Sequence, residues 1–381
     1  MLKLKEQTPA TSPAPYAGNH FEAHKSDLYK GKGQIDLDAE TNNLVKHKNI
    51  AKHASDAYQK ASGGGSTELT APPASFHKQA AIAHAYHLAA SGNPDYKKHV
   101  FDEYKKHMPE LIAKHKATDY DDLVKKSYSA VAHETGKQFN SLPIKTTYHD
   151  GDLNYPSSKH MLRDVHLHHH LAVFRGGDRH EFLHNVDTKT GLNENEKFRA
   201  VHDFYGHAVH GNQFGPKGEE TAWEHHKKMF TPLASLAMTA ETRGQNSFVN
   251  YSHANIGLQK KMEATRKERK DAINAGDHKI ASEKQSHLSN LGSQWQYAKQ
   301  ASVLLPPEMH SEHYTGAIPE SIKKMTPNAG KYDHKKDPKG LIEMAKFHNT
   351  SSHAGNNGGV LDHKGYHRDL KHLLELHGHT D

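Results

Sequence analysis

The sequence predicts a mainly α-helical fold with a small antiparallel β-sheet and flexible termini. From Ser75 onward, apolar residues recur at the spacing of amphipathic helices through most of the central chain. Two short stretches, 144–149 and 171–174, have the alternation or the apolar run of β-strands. Hydrophobic residues make up only 34% of the chain, so a compact centre with solvated ends is expected.

Composition divides the chain into three parts. Residues 1–73 are predicted to be a flexible arm and a polar helix over 38–61, with a Gly- and Ser-rich joint at 62–66. Residues 74–305 are predicted to form the helical core domain. Residues 306–381 are predicted to be a C-terminal tail with short helices, because a Gly- and Asn-rich stretch loosens the chain there.

Helical periodicity predicts three helices in the first half of the core. The first covers 76–88 and stops at a Gly-Asn-Pro turn, and the second carries the apolar residues of 100–111. The third is capped by Thr118 or Asp119 and continues through Phe139. We expect these three helices to form one face of the core.

The two strands that follow predict a small sheet. Ile144 to His149 alternates in polarity, and the apolar run from Leu171 to Phe174 can pair with it. Residues 152–163 contain Tyr155-Pro156, which favours a loop between the strands. The triplet His168-His169-His170 is interpreted as a loop or strand entry rather than a metal site, because neighbouring side chains of a strand point to opposite faces.

The second half of the core is predicted to be helical again. Residues 195–211 and 218–240 form two helices, joined by a turn whose glycines and proline fix the backbone path. After Ile256, a long polar stretch predicts a helical hairpin that turns at 275–277, where a glycine ends the first helix and an aspartate caps the second.

Composition also excludes several classes of protein. The chain has no cysteine, so disulfide frameworks, zinc ribbons and thiol nucleophiles are excluded, and any metal must be held by imidazole and carboxylate groups. No apolar stretch is long enough to cross a membrane, and the N-terminus lacks the apolar run of a secretory signal, so no membrane partner is expected. The net charge of +6 is weak evidence for nucleic-acid binding.

The two histidines of the motif HDFYGH (202–207) are candidate metal ligands. On a regular helix, positions five apart differ by about 140° in direction. His202 and His207 therefore converge only if the helix is distorted or the metal lies across its end, and Gly206 permits such an approach. A carboxylate arriving on the next helix would complete a set of two imidazoles and one oxygen ligand, leaving positions open for substrate and dioxygen.

This motif resembles the iron-binding motif of the pterin-dependent aromatic amino acid hydroxylases. The resemblance covers this segment alone. It implies that a divalent metal, iron, is held by His202 and His207, with Glu241 as the third ligand, in a non-haem oxidoreductase of oxygenase type. Asp203 and Arg243 are then the candidate catalytic residues, the first orienting a ligand and the second binding an anionic substrate group.

A broader pattern resembles a module of uncharacterised phage-encoded proteins. It comprises FRAVHDF at 198–204, FGP at 214–216, GEE at 218–220 and ETRGQNS at 241–247. The resemblance implies a bacteriophage origin and a location in the host cytoplasm or the virion. The alternative function is therefore a virion structural or assembly protein whose partners are other virion proteins, with the polar cluster playing a structural role.

Other interpretations of the same residues remain open. His202 and His207 are also interpretable as core histidines bonded to backbone or carboxylate, and Glu241 as the partner of Arg243 or Arg199 in a buried ion pair. Arg243 is equally interpretable as bonding to a buried loop backbone. A nuclease of the histidine–asparagine type, suggested by His184-Asn185, ranks below the other functions because the surrounding pattern lacks a strand-rich hairpin that feeds a helix.

Overall fold

The computed structural model describes residues 36–62, 76–150, 157–176, 179–298 and 300–317, together with five single residues, Leu69, Tyr155, Ile322, His367 and Lys371. The predicted arm at 1–35, most of the Gly- and Ser-rich joint and most of the predicted tail lie outside these residues. The described part of the chain is mainly helical, as the periodicity predicts.

Helices of two kinds and a pair of short strands make up the described chain. The α-helices are α1 (Leu37–His47), α2 (Ile50–Ser62), α3 (Phe76–Ala90), α4 (Pro94–His107), α5 (Pro109–His115), α6 (Tyr120–Asn140), α7 (Ser158–Arg163), α8 (Glu194–Val201), α9 (Pro216–Lys227), α10 (Pro232–Thr239), α11 (Gln245–Tyr251), α12 (His253–Asn274) and α13 (His278–Ser293). Three π-helical segments are π1 (Asp164–His168), π2 (His202–Ala208) and π3 (Ala240–Gly244). The strands are β1 (Lys145–Asp150) and β2 (His170–Arg175), and a 3₁₀ turn covers Pro307–His310.

Polar caps fix where several helices begin. Asp119 accepts a hydrogen bond from the backbone N–H of Asp122 and starts α6, as predicted. Asn193 and Glu196 form a reciprocal capping box at α8. Asp277 caps α13 after a turn at Gly276, whose φ of +76° suits glycine, so the predicted hairpin of α12 and α13 is confirmed.

Three predicted helices are each divided in the structure. The helix predicted from the apolar residues of 100–111 is divided between α4 and α5, since Pro109 begins a new helix. Residues 38–61 form α1 and α2 rather than one helix. Residues 218–240 form α9 and α10, because Pro232 lies in the first turn of α10, where its missing N–H costs no hydrogen bond.

The predicted antiparallel sheet is wrong. The two strands β1 and β2 are parallel, with Thr147 opposite Ala172 and Tyr148 opposite Val173. The connection between them is not the predicted loop, because it contains α7 and π1. A helical crossover returns the chain to the starting edge, which makes the second strand run in the same direction as the first.

Two groups of buried apolar residues form the core. The larger group contains residues of the four helices α3, α4, α6 and α10. It also includes Trp223 of α9. The second lies around π2 and includes Met161, Phe204 and Tyr205. Burial of a side chain such as Phe204, which is 0% exposed, contributes about 1.5–3 kcal/mol. The π2 segment is therefore held in place by its own apolar side chains.

The chain that follows residue 300 packs into the larger group. Leu304, Leu305, Met309 and Tyr314 are all buried there. The phenol hydroxyls of Tyr96 and Tyr120 each donate a hydrogen bond of 3.0 Å to the carbonyl of Leu304. These residues close the core next to α4 and α6.

Candidate metal centre

The two histidines of the HDFYGH motif lie at the beginning and near the end of π2. In a π-helical turn the backbone bonds from residue i to i+5, so positions five apart lie about one turn from each other. The rings of His202 and His207 meet edge to face, with centroids 5.1 Å apart. The helix distortion that their spacing requires is therefore present.

Gly206 makes room for this arrangement. A Cβ atom at this position would lie 3.0 Å from Nδ1 of His202 and 3.3 Å from Cβ of Ala222. Any side chain larger than hydrogen would press on the imidazole and on α9. Glycine here lets π2 and α9 approach closely.

Glu219, in the first turn of α9, supplies the carboxylate of the group. Its Oε2 lies 3.6 Å from Nε2 of His202 and 3.4 Å from Nε2 of His207. In the part of the chain that the structure describes, one candidate ligand atom from each of these three residues lies within 4.8 Å of the others, so the group can hold a metal ion. Two imidazoles and one carboxylate are ligands that suit divalent transition metals.

Gly218 positions Glu219. A Cβ atom on Gly218 would lie 1.8 Å from the carbonyl oxygen of Gln213, which is far inside van der Waals contact. The turn before α9 therefore folds directly onto its own backbone at this point. Only glycine fits this backbone path. The path places the next residue, Glu219, beside His202 and His207.

Glu241, the predicted third ligand, lies outside this group and has other partners. Its carboxylate accepts hydrogen bonds from the hydroxyl of Tyr128 at 2.5 Å and from the amide of Gln245 at 2.6 Å. Nε2 of His180 lies 3.2 Å from the same carboxylate. The structure thus places Glu219, not Glu241, beside the two imidazoles.

The two candidate catalytic residues have different surroundings. Asp203 is partly buried and lines the cavity beside the histidines. Arg243 is 1% exposed and is not among the residues that line the cavity. Its guanidinium pairs with Glu220 and lies 3.8 Å from the centre of the Trp223 ring. It also donates hydrogen bonds to the carbonyls of Met309 and Ser311. Arg243 therefore connects π3 and α9 to the buried chain that follows residue 300.

Charge coupling dominates the protonation of the site. Burial raises the pKa of Glu219, but the charge and hydrogen bonding of the neighbouring imidazoles outweigh it, and the net pKa lies well below its usual range. Burial lowers the pKa of His207, yet the attraction of Glu219 outweighs this and the net pKa is raised. Burial raises the pKa of Asp203. Without a metal, His207 and Glu219 therefore favour an ion pair.

Two further residues lie behind His202. Its Nδ1 is 3.3 Å from Nδ1 of His226, and Nε2 of His226 is 2.7 Å from Oε1 of Gln138. His226 is 0% exposed, and burial among other histidines lowers its pKa well below the usual range. Sequence reasoning missed both residues because α6 and α9 are distant in the chain and carry no local motif at these positions.

A cavity of about 410 Å³ adjoins the metal group. The cavity is lined by five residues with titratable side chains, which are Arg199, His202, Asp203, Glu219 and Glu241. Its apolar wall consists of Val173, Phe174, Phe198 and Val249. The remaining polar residues of the wall are Asn195, Thr242, Gln245, Asn246 and Gln300. A volume of this size suits a small organic molecule.

The other histidines that the sequence singles out do not join the group. His168 ends π1, His169 has a φ of +53°, and His170 begins β2, so the triplet is a strand entry as predicted. His170 hydrogen-bonds to Asp164 at 2.7 Å. Nδ1 of His184 bonds to the carbonyl of His180.

Comparison of the chain with family models, with curated proteins and with solved structures found no significant match in any of the three. Among the described helices, none has the length and apolar character needed to cross a membrane.

Proposed function

We propose that the chain is a non-haem metal-dependent enzyme in which His202, His207 and Glu219 hold a divalent metal, iron in an oxygenase-like reaction. The observation that supports this is the group of three ligand atoms within 4.8 Å of one another, two of whose residues, His202 and Glu219, line a cavity of about 410 Å³. A cavity beside the ligands is what distinguishes a site for chemistry from a structural metal site, which is closed by its ligands.

The three residues fit a metal on a further ground. Nε2 of His202 is buried and has no hydrogen-bond partner among the described residues. An unsatisfied buried polar atom costs about 1–3 kcal/mol. A metal ion bound between this nitrogen and Glu219 would remove that cost.

A metal with three protein ligands supplies open coordination positions for dioxygen or a substrate group. The residues of the cavity would bind the substrate and transfer protons. Phe174 and Phe198 would pack against the apolar part of a substrate and exclude water. Asp203, a partly buried carboxylate that lines the cavity next to His202, would hold or accept a proton there.

Metal content tests the proposal. The protein is purified without a histidine tag, loaded anaerobically with ferrous iron, desalted and analysed by mass spectrometry. We expect near-stoichiometric iron in the wild type, and little in His207→Ala and Glu219→Ala. Glu241→Gln is the matched carboxylate control from the same cavity and is expected to keep its iron.

The outcomes separate the possible ligand sets. Loss of iron in Glu241→Gln with retention in Glu219→Ala would replace Glu219 by Glu241 as the ligand. No metal in the wild type, with manganese and cobalt also failing to bind, would overturn the proposal.

The second candidate is a structural protein of a phage virion. One observation supports its premise of a structural role for the polar cluster, which is that His207 and Glu219 can pair as ions at 3.4 Å without a metal. In that case the wild type binds no metal, and His207→Ala lowers its stability without a change in metal content.

A further inference from the structure

We infer that a hydrogen-bond relay from Gln138 through His226 determines which ring nitrogen of His202 is available to a metal. The role of the relay in metal binding rests on the proposed function. The relay itself is a property of the metal-free protein. It makes Gln138 and His226 positioning residues, which act on the metal through His202.

The relay begins at a fixed end. The side chain of Gln138 is buried on α6, and its Nε2 donates a hydrogen bond of 3.3 Å to the carbonyl oxygen of Met229. A carbonyl oxygen can only accept, so the amide nitrogen of Gln138 must face Met229. The amide oxygen consequently faces His226, at 2.7 Å from its Nε2.

The next step assigns the proton on His226. The Oε1 atom of Gln138 can only accept, so Nε2 of His226 must carry the hydrogen. His226 is 0% exposed, and its hydrogen-bond contacts are the neutral Gln138 amide and the ring of His202 rather than a carboxylate. A buried imidazole in these surroundings is neutral because burial disfavours its charged form. Its Nδ1 is therefore a hydrogen-bond acceptor.

The last step assigns the proton on His202. Nδ1 of His202 lies 3.3 Å from the accepting Nδ1 of His226, so it must donate. Because Nδ1 is committed to His226, Nε2 is the ring nitrogen of His202 that remains for a metal. This is the atom that lies 3.6 Å from Glu219 and has no hydrogen-bond partner among the described residues. The relay thus leaves Nε2 of His202 for the metal group.

The relay contains no negative charge. Many metal-binding histidines donate their second N–H to a carboxylate, which makes the ligand more basic. Here an amide and a neutral imidazole hold His202 in the same orientation without adding an anion to the site. We expect the relay to fix the tautomer of His202 and its ring plane with little effect on the net charge of the centre.

The first test reads the tautomers directly. Protein labelled with ¹⁵N-histidine and kept free of metal is studied by long-range ¹H–¹⁵N correlation, which distinguishes the two tautomers. His202→Asn and His226→Asn assign the two signals by difference. We expect hydrogen on Nε2 of His226 and on Nδ1 of His202. Hydrogen on Nε2 of His202 with none on Nδ1, or no hydrogen on Nε2 of His226, would overturn the inference.

The second test removes the fixed end of the relay. Gln138→Met keeps the length and approximate volume of the side chain but has no amide, whereas Gln138→Glu restores an acceptor. Cobalt(II) is the probe, and its affinity is measured by absorption titration. Gln138→Met should bind cobalt about 10- to 100-fold more weakly than the wild type, and Gln138→Glu should recover most of this loss.

Controls keep the two proposals separate. Gln59→Met replaces another buried glutamine, whose Nε2 donates to Ser55 and not to His226, and should leave cobalt affinity unchanged. Equal affinity in the wild type and Gln138→Met would overturn the relay while leaving the metal centre intact. A wild type that binds no cobalt would overturn the proposed function, and the tautomers measured without metal would still decide the relay.

Discussion

Arg243 and Glu220 form an ion pair whose side chains are 0% and 4% exposed. Lys78 and Gln79 also donate hydrogen bonds to Glu220, so its buried carboxylate is satisfied by donors inside the protein. Removal of one partner from such a pair leaves the other charge buried and unpaired. A role in stability accounts for the ion pair and the hydrogen bonds of Arg243, and none of these contacts reaches the cavity.

We therefore expect Arg243→Met to lower the free energy of unfolding by about 3–5 kcal/mol, measured by urea denaturation. Lys52→Met is the control, because its ion pair with Asp56 is about half exposed and is expected to contribute about 0–1 kcal/mol. An Arg243→Met protein that is as stable as the wild type, but fails to bind a substrate, would return Arg243 to the catalytic role that the sequence predicted.

The candidate site shows how far individual residues can be predicted. His202 and His207 were identifiable because their spacing and the glycine between them lie in one short motif. Which carboxylate lies beside the two imidazoles, Glu219 or Glu241, was not predictable, since both follow in later helical segments and both line the cavity. It depends on the turn that Gly218 makes and on the hydrogen bonds that Tyr128 and Gln245 give to Glu241. Neither is visible in local sequence.

At the scale of an element, the turn between π2 and α9 determines where Glu219 lies. We expect Gly218→Ala to displace this turn, because its Cβ would overlap the carbonyl of Gln213. Cobalt affinity should then fall by at least about 10-fold, which corresponds to about 1.4 kcal/mol. The measurement is the same absorption titration on wild type and variant.

Gly136→Ala is the matched control for this change. Gly136 lies inside α6, and a Cβ atom there would have no heavy atom within 4 Å. Alanine in a helix interior is favoured over glycine by about 0.5–1 kcal/mol, so this variant should be slightly more stable and bind cobalt normally. Normal cobalt binding by Gly218→Ala would show that the turn does not position the ligand.

Elements were predictable where their pattern is local. The start of α6 and the turn between α12 and α13 follow from caps and from Gly276, and the structure confirms both. The strand direction was wrong because α7 and π1 have too few periodic residues to be distinguished from a loop. The division at Pro232 was missed because the apolar spacing continues across it.

At the scale of the whole molecule, buried histidines make the fold sensitive to acid. Burial lowers the pKa of His310 to about 3 and that of His166 to about 4, from an ordinary value of 6.5. Above pH 6.5 both are neutral whether the chain is folded or unfolded, so they add no pH dependence. Below it, the unfolded chain takes up protons that the folded chain excludes, and stability falls.

We expect each of these histidines to add about 1.4 kcal/mol of destabilisation per pH unit as the pH falls from about 6.5 towards its folded-state pKa. The measurement compares urea denaturation at pH 7.5 and pH 5 for the wild type and His310→Gln. The variant should lose less stability between the two pH values. His133→Gln, at an exposed position of α6, should behave as the wild type does.

An equal loss of stability in His310→Gln and in the wild type would show that His310 does not contribute to acid sensitivity. The comparison within each protein removes the separate cost of breaking the contact between His310 and Tyr104, which are 2.7 Å apart. The comparison therefore measures only the pH-dependent part of the change in the free energy of unfolding.

The hydrogen bonds from Tyr96, Tyr104 and Tyr120 to the carbonyls of Leu304 and Leu305 have a consequence for synthesis of the protein. These bonds join residues 208, 201 and 184 positions apart in the chain. On the ribosome, α4 and α6 therefore emerge well before the segment that covers their phenol groups. During this interval, the surface of α4 and α6 that carries these tyrosines is exposed. A chaperone that shields apolar surface would bind the nascent chain there.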